Sequence, residues 1–397
     1  MRHRAFALFW WGRMLAMAAY QMLAVAIGWQ LYALTGSALD LGFLGLIQFV
    51  PVIGAVLVVG HVADQYDRRF VVVACHAAQG AAAAILALGS LGGWLSRETI
   101  FLLVFVIGTA RAFELPTMHA LVPGLVPASL LSRAIAGATS ATQTAVIAGP
   151  AIGGLVYLAG PAILYGACVV LFATAATLVL AIRTDLPAPV RRPPTLATLL
   201  AGFAFVRERP VLLGAISLDL FAVLLGSATA LLPIFTRDIL EAGPWGLGLL
   251  RASPAVGALA AALVLARNPL RAGVGRTMFA CVVVFGLATL AFALSRSLVL
   301  SMLCLVILGV ADSTSVIIRF SLVQFATPDE MRGRVSAINA LFTGTSNTLG
   351  EFRAGAVAAL VGVVPAAVAG GLGAVLVALV WMRLFPTLRR RDRIEEP

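Results

Sequence analysis

The sequence predicts an all-α membrane protein with twelve transmembrane helices in two pseudo-symmetric six-helix halves. Three observations carry that prediction. The 397 residues are 61% hydrophobic and only 11% charged, with a mean hydropathy of +1.02; a soluble domain is about half apolar and about a quarter charged. The apolar residues come in twelve blocks, most of them close to the roughly 20 residues a helix needs to cross a bilayer. The second six blocks also repeat landmarks of the first six.

In the first half, spans fall near residues 6–34, 41–60, 70–92, 100–117, 134–159 and 162–182. In the second they fall near 211–236, 246–266, 277–295, 298–320, 335–360 and 365–384. The first block is too long for the apolar core of a signal peptide and no small-residue cleavage site follows it, so a retained first span is expected. Residues 184–195, TDLPAPVRRPPT, are rich in Pro and Arg, as a linker between halves would be. The stretch after them, TLATLLAGFAFVRERP, reads as a short interfacial helix with Arg207 and Arg209 at the headgroups. The expected organisation is an N-terminal half over 1–183, a linker over 184–210, a C-terminal half over 211–384 and a basic tail over 385–397.

An even number of spans puts both ends on one side, and arginine says which. All 28 basic residues are Arg. Twenty lie in the loops and tails of one side, three (Arg97, Arg237 and Arg296) on the other, and five inside spans. Basic residues in short loops concentrate in the cytosol, so both termini are expected there, in a bacterial inner membrane. The net charge of +11 would suit nucleic acid only if gathered on one soluble face. Dispersed over short loops, it suits anionic lipid headgroups instead. Cys75, Cys168, Cys281 and Cys304 lie in apolar runs without CxxC spacing, so packing is expected of them rather than disulfides or zinc. His61, His76 and His119 lie at or near cytosolic span ends, again without metal-ligand spacing. No metal or cofactor is expected, and a monomer is.

Residues 120–137 can be laid on residues 321–338 at an offset of 201, matching Leu121 with Leu322, Pro127 with Pro328 and Arg133 with Arg334. Continued without gaps, the register pairs Gly149 with Gly350 and Gly154 with Gly355. Two like halves related by an axis along the membrane normal are a transporter plan, with the site between them near the midplane.

Residues 60–70, GHVADQYDRRF, fall in the loop between spans 2 and 3. They resemble the signature loop of the major facilitator superfamily, Gly-x-x-x-Asp-Arg-x-Gly-Arg-Arg/Lys, with Gly60, Asp64, Arg68 and Arg69 at matching positions and Gln65 and Asp67 departing from it. The resemblance implies the major facilitator fold and a cytosolic gate at this loop. Gly60 would allow close packing, Asp64 would face a helix N-terminus, and Arg68 and Arg69 would hold the loop at the headgroups. In span 5, AGPAIGG resembles the core of the antiporter motif of drug exporters through Gly149, Pro150, Gly153 and Gly154. Residues 120–134 and 325–352, the latter containing TPDEMRGRVSA, are similar to the enterobactin-exporter-like branch, the transmembrane secretion effectors. What that branch implies is outward transport driven by proton entry, with the cargo open.

A charge near the bilayer centre costs at least about 2.5–3.5 kcal/mol on insertion scales and usually has a partner or a function. Asp219 in span 7 has no charged neighbour within a helical turn, which makes it the first candidate for proton coupling. Asp312 and Arg319 in span 10 are two turns apart, about 10 Å by helix rise, so each should meet another helix. Arg319, near the cytosolic end, can also snorkel. Arg111 and Glu114 in span 4 have the spacing of a local ion pair, and in the family an Arg in span 4 is tied to proton transfer. Glu351 in span 11 is a further coupling candidate beside the gate. Arg13, Gln21, Trp29, Tyr32 and Arg319 are cavity candidates. Arg13 and Arg251 would attract an anionic cargo, and the Asp that the branch often carries in span 1 is missing from AMAAYQML. Aromatic residues near span ends read as an interfacial belt.

The expected function is proton-coupled export of a small amphipathic molecule, siderophore-like or drug-like. An importer of the same fold is the alternative. A membrane-embedded enzyme would need paired acids for Mg²⁺ or a Ser/His/Asp set, and the acidic pairs here fall in loops and the tail. With no Lys in the chain there is no phosphate-binding GxxxxGK[ST].

Overall fold

A computed structural model describes residues 4–182, 203–270 and 272–393, apart from the side chains of residues 55–64 and Asp329. The linker over 184–195 lies outside the described residues. These form helices and connecting turns, with no strand among them. The first six long helices are α1 (Arg4–Thr35), α2 (Ala38–Gln65), α3 (Arg68–Gly92), α4 (Arg97–Leu121), α5 (Leu131–Val156) and α6 (Pro161–Leu180). The second six are α7 (Pro210–Gly226), α8 (Pro244–Arg267), α9 (Val274–Leu294), α10 (Leu298–Phe325), α11 (Asp329–Val361) and α12 (Val363–Leu384), followed by the short α13 (Pro386–Arg390).

Ten of the described helices, with their extensions, are long and apolar enough to cross a membrane. The other two complete the twelve: α2 offers a shorter apolar stretch, Ala38–Gly54, and α11 carries charges at both DEMRGR and GEFR. The turns follow from local chemistry. Asp67 caps α3 by accepting the Arg69 N–H at 2.9 Å, and Ser96 caps α4 by accepting the Thr99 N–H at 3.2 Å, each satisfying a donor that the first turn leaves open.

The span expected at 211–236 is present as Pro210–Ile239, but it is broken. The apolar run 211–236 is not one helix: α7 ends at Gly226, Ser227 is extended, and the chain continues through the single turns Thr229–Leu231, Leu232–Ile234 and Phe235–Ile239. A break inside a membrane exposes carbonyls with no water to satisfy them. Arg353 of α11 supplies the donors, its Nε to Leu224 O at 2.8 Å and one Nη to the carbonyls of Leu225 and Ser227.

The chain clusters into two compact units. The first comprises 1–36, 46–193 and 241–252; the second comprises 37–45, 194–240 and 253–397. Within the first, α1 packs on α5 and α6, and α3 packs on α4 and α6. Within the second, α7 packs on α11 and α12, and α9 packs on α10 and α12. Adding six to each label of the first set gives the second, so the repeat read from sequence is a repeat of packing.

The paired glycines show the repeat atom by atom. A Cβ on Gly149 of α5 would lie 3.2 Å from Ala18 O of α1, and one on Gly350 of α11 would lie 2.9 Å from Val223 O of α7. Gly154 crosses Gly248 at the start of α8 inside the first unit, and Gly355 crosses Gly42 at the start of α2 inside the second. Such backbone-to-backbone approach needs residues without side chains. The turns α5–α6 and α11–α12 are closed by Gly160 (φ 115°) and Gly362 (φ 97°), a conformation that Gly alone adopts freely.

Candidate functional site

Among the described residues, each unit holds a buried cluster of charge on more than one helix. In the second unit, Asp219 of α7 (6% exposed) and Arg319 of α10 (3% exposed) form an ion pair through Asp219 Oδ2 and an Arg319 Nη. The walls are apolar: Ala215, Leu218 and Ala222 from α7, Ile318 and Leu322 from α10. The expectation that Arg319 can snorkel is corrected, because a buried guanidinium is retained where a carboxylate from another helix meets it. Asp312, two turns along α10, is half-buried and has no ion pair or hydrogen bond among the described residues. It lies within electrostatic reach of both Asp219 and Arg319. The second unit therefore carries one paired and one unpaired carboxylate around a single buried cation.

Glu351 of α11 lies over the backbone of α2, where a Cβ on Gly45 would come within 2.6 Å of its Oε2. Arg353, two residues on, faces α7 as described. The two charges of span 11 thus serve different neighbours.

The first unit's cluster draws on four helices. Glu114 of α4 (4% exposed) is its one acid. Gln79 Nε2 of α3 donates to Glu114 Oε2 at 2.8 Å, Arg111 Nη1 stands 3.5 Å from the same oxygen, and His76 Nε2 stands 3.5 Å from Oε1. Arg111 also lies over the Tyr20 ring, 4.0 Å from its centroid, a favourable seat for a cation. Arg13 of α1 is buried and donates through Nε to Thr142 Oγ1 of α5 at 2.8 Å. The structure thus brings together Arg13, Arg111 and Glu114. It adds His76, two turns into α3 and fully buried.

The remaining cavity candidates lie along α1. Gln21 is half-buried with its Cβ beside Gly149; Trp29 is half-buried and Tyr32 buried. Between them, sequence reasoning missed Gln30. It accepts from Tyr165 Oη of α6 at 2.6 Å and donates to Ser90 of α3 at 2.9 Å, tying three helices. A second Gln in the apolar run of α1 was the signal available.

At the loop of residues 60–70, the surroundings of Gly60 and the side chain of Asp64 lie outside the described residues. Arg68 and Arg69 were expected among headgroups; instead both reach helix ends. Arg68 is buried and donates to Ala120 O at 3.1 Å, near the end of α4. Arg69 donates to Ile182 O just beyond α6 and binds Asp67 through Nε and Nη2. The Arg69 hydrogen bonds hold the Asp67 carboxyl below its usual range. In AGPAIGG, Gly149 and Gly153 face α1 at Gln21 and Met22, while Gly154 faces α8. Pro150 sits inside α5, its carbonyl against Gly248. Among the described residues no group of His, Cys, Asp or Glu could hold a metal ion.

Comparison with known proteins follows this geometry. The family model described as transmembrane secretion effector matches residues 1–395. The enterobactin exporter EntS of Escherichia coli O81 (strain ED1a) is 27% identical over 390 residues, covering 98% of this chain and 93% of that protein. Among solved structures, a variant of the nucleoside transporter NupG superposes with a TM-score of 0.78 at 15% identity, covering 96% of this chain and 100% of that one. A D-xylose–proton symporter gives 0.73 at 13% identity, covering 98% and 99%. At these identities the structures report the fold alone.

Proposed function

The chain belongs to the transmembrane secretion effector family of the major facilitator superfamily and is a multi-pass membrane transporter of small molecules; on that footing we propose that it is a proton-coupled exporter of a small amphipathic molecule. The observation that carries the proposal is the buried Asp219–Arg319 pair with Asp312 unpaired beside it. Two carboxylates competing for one buried cation form a proton-operated switch. Ionised Asp219 holds α7 to α10. A proton on Asp219 releases Arg319, and uncovering a buried charge costs about 3–5 kcal/mol. Asp312, within electrostatic reach of Arg319, is the carboxylate toward which the freed guanidinium would turn. Protonation is thereby linked to how α7 lies against α10, and such a link is what alternating access needs.

In the first unit, Glu114 with Arg111 and His76 is the second candidate for proton coupling. The arginine-rich side is cytosolic in this reading, the membrane is a bacterial inner membrane and the working unit is a monomer. The direction of transport rests on the family and on the antiporter-like glycines of α5. A cargo resembling a catecholate siderophore is favoured by the similarity to an enterobactin exporter, and Arg13 and Arg111 suit an anionic or electron-rich molecule.

Everted vesicles from an exporter-deficient host test this directly. Under an imposed proton gradient, a catecholate siderophore, an anionic amphiphile and a cationic dye are offered in turn. Gradient-dependent accumulation of one of them is expected, lost in Asp219→Asn. Uptake only in right-side-out vesicles would reverse the direction, and accumulation indifferent to the gradient would remove the proton.

A further inference from the structure

A groove of about 470 Å³ opens where α9, α12 and α13 meet, lined by Arg276, Phe279, Ala280, Met382, Pro386, Arg389 and Arg390. Three guanidiniums face it, and none has an ion pair or side-chain hydrogen bond among the described residues. Asp392, the nearest described acid along the chain from Arg390, accepts the Gly273 N–H through Oδ1 at 2.8 Å.

The groove is built rather than incidental. Gly275, in the first turn of α9, lets α13 settle on it, since a Cβ there would collide with Leu388 O. The tail is then tied to that turn by backbone hydrogen bonds, Gly275 N to Arg391 O at 2.9 Å and Val274 N to Asp392 O at 3.2 Å. These bonds fix α13, and with it Arg389 and Arg390, beside Arg276. Below the cations the floor turns apolar through Phe279, Ala280 and Met382. From there an exposed apolar strip runs up α9 through Val284 and Leu287.

We propose that this groove binds one anionic phospholipid, with Arg276, Arg389 and Arg390 on the phosphate and an acyl chain along Ala280, Val284 and Leu287. Guanidiniums match phosphate oxygens through paired N–H donors. Basic pockets between helices at a membrane surface select anionic headgroups. A free phosphate would use the cations and leave the strip unused, and that difference separates the two sources. The proposal stands on this groove alone and is independent of cargo, proton coupling and direction.

The test is native mass spectrometry of the full chain in detergent, titrated with dioleoylphosphatidylglycerol. Dioleoylphosphatidylcholine and glycerophosphoglycerol, the headgroup without chains, are run beside it. Wild type should retain one phosphatidylglycerol, with at least tenfold less phosphatidylcholine and glycerophosphoglycerol. The triple variant R276Q/R389Q/R390Q should lose it about tenfold, and R276K/R389K/R390K should recover most of it. A control triple, R133Q/R267Q/R334Q, removes three arginines elsewhere and should bind as wild type. Equal loss in the control, retention in the groove triple, or equal binding of the chainless headgroup would each overturn the lipid assignment.

Discussion

Asp219 and Arg319, one hundred residues apart in sequence, meet in the apolar interior of the second unit, and neither is more than 6% exposed. Asp219→Asn leaves a buried guanidinium without its counter-charge. A loss of about 3–5 kcal/mol in stability is expected, together with loss of gradient-driven transport. Asp219→Asn/Arg319→Gln should recover most of the stability and none of the transport. Thermal unfolding in detergent beside vesicle transport checks both. If transport also returned in the double variant, the pair would be a structural tie only.

The glycine crossings give a prediction in duplicate. A Cβ on Gly154 would stand 2.5 Å from Pro244 O, and one on Gly355 would stand 2.6 Å from Ala38 O. Gly154→Ala and Gly355→Ala should each cost about 1–3 kcal/mol through overpacking and impair transport alike. Gly166→Ala, with nothing within 4 Å of the new Cβ, should change neither. Unequal effects of the first two would contradict the repeat of packing.

Arg353→Leu strips donors from the carbonyls of Leu224, Leu225 and Ser227. Each buried carbonyl left open costs about 1–3 kcal/mol. Arg353→Gln should rescue part of the loss, because one amide still donates twice. Hydrogen exchange at residues 223–229 is the local readout, and protection unchanged in the Leu variant would mean that the break satisfies itself.

Asp67 gives a dependence on pH outside the bilayer. Its folded-state carboxyl lies below the unfolded value because Arg69 binds it. Its contribution is complete above the unfolded pKa of about 3.9 and declines as pH falls through the folded one. Asp67→Asn, which keeps the cap and loses the charge, should lack that acid branch. Amide exchange in the first turn of α3, followed from pH 6 downward, reads it.

His76→Gln tests the first unit. Removing the imidazole beside Glu114 should alter the pH profile of transport while maximal transport at the optimum changes less. Glu114→Gln should abolish the gradient dependence outright. An unmoved profile in His76→Gln would reduce the histidine to packing.

What the sequence made legible was whatever leaves a local trace. Twelve apolar runs, the arginine bias and the 201-residue register each need only short stretches to be seen. Gly154 and Gly355 could be paired before anything was known of what they touch. The break of α7 left only a weak trace, because Gly226, Ser227 and Thr229 are small residues inside an otherwise apolar run, and its donor lies 129 residues away from Leu224. The partner of Arg319 was hidden for the same reason: the charge was visible, but its neighbour depends on how α7 packs against α10. His76 was visible near a span end, but its burial against Glu114 is a tertiary fact.

The cap that Arg353 places on α7 has a consequence for biosynthesis. α7 leaves the ribosome well before α11, so the carbonyls of Leu224, Leu225 and Ser227 wait in the bilayer without donors until residue 353 is inserted. α11, which falls outside the ten helices apolar enough to span by themselves, in turn gains a neighbour for its charge only because α7 is already there. α7 lies within one of the ten helices apolar enough to span, so it can receive α11, which is the poorer passenger of the two. The carbonyls at the end of α7 therefore find the Arg353 donors only once α11 has joined it.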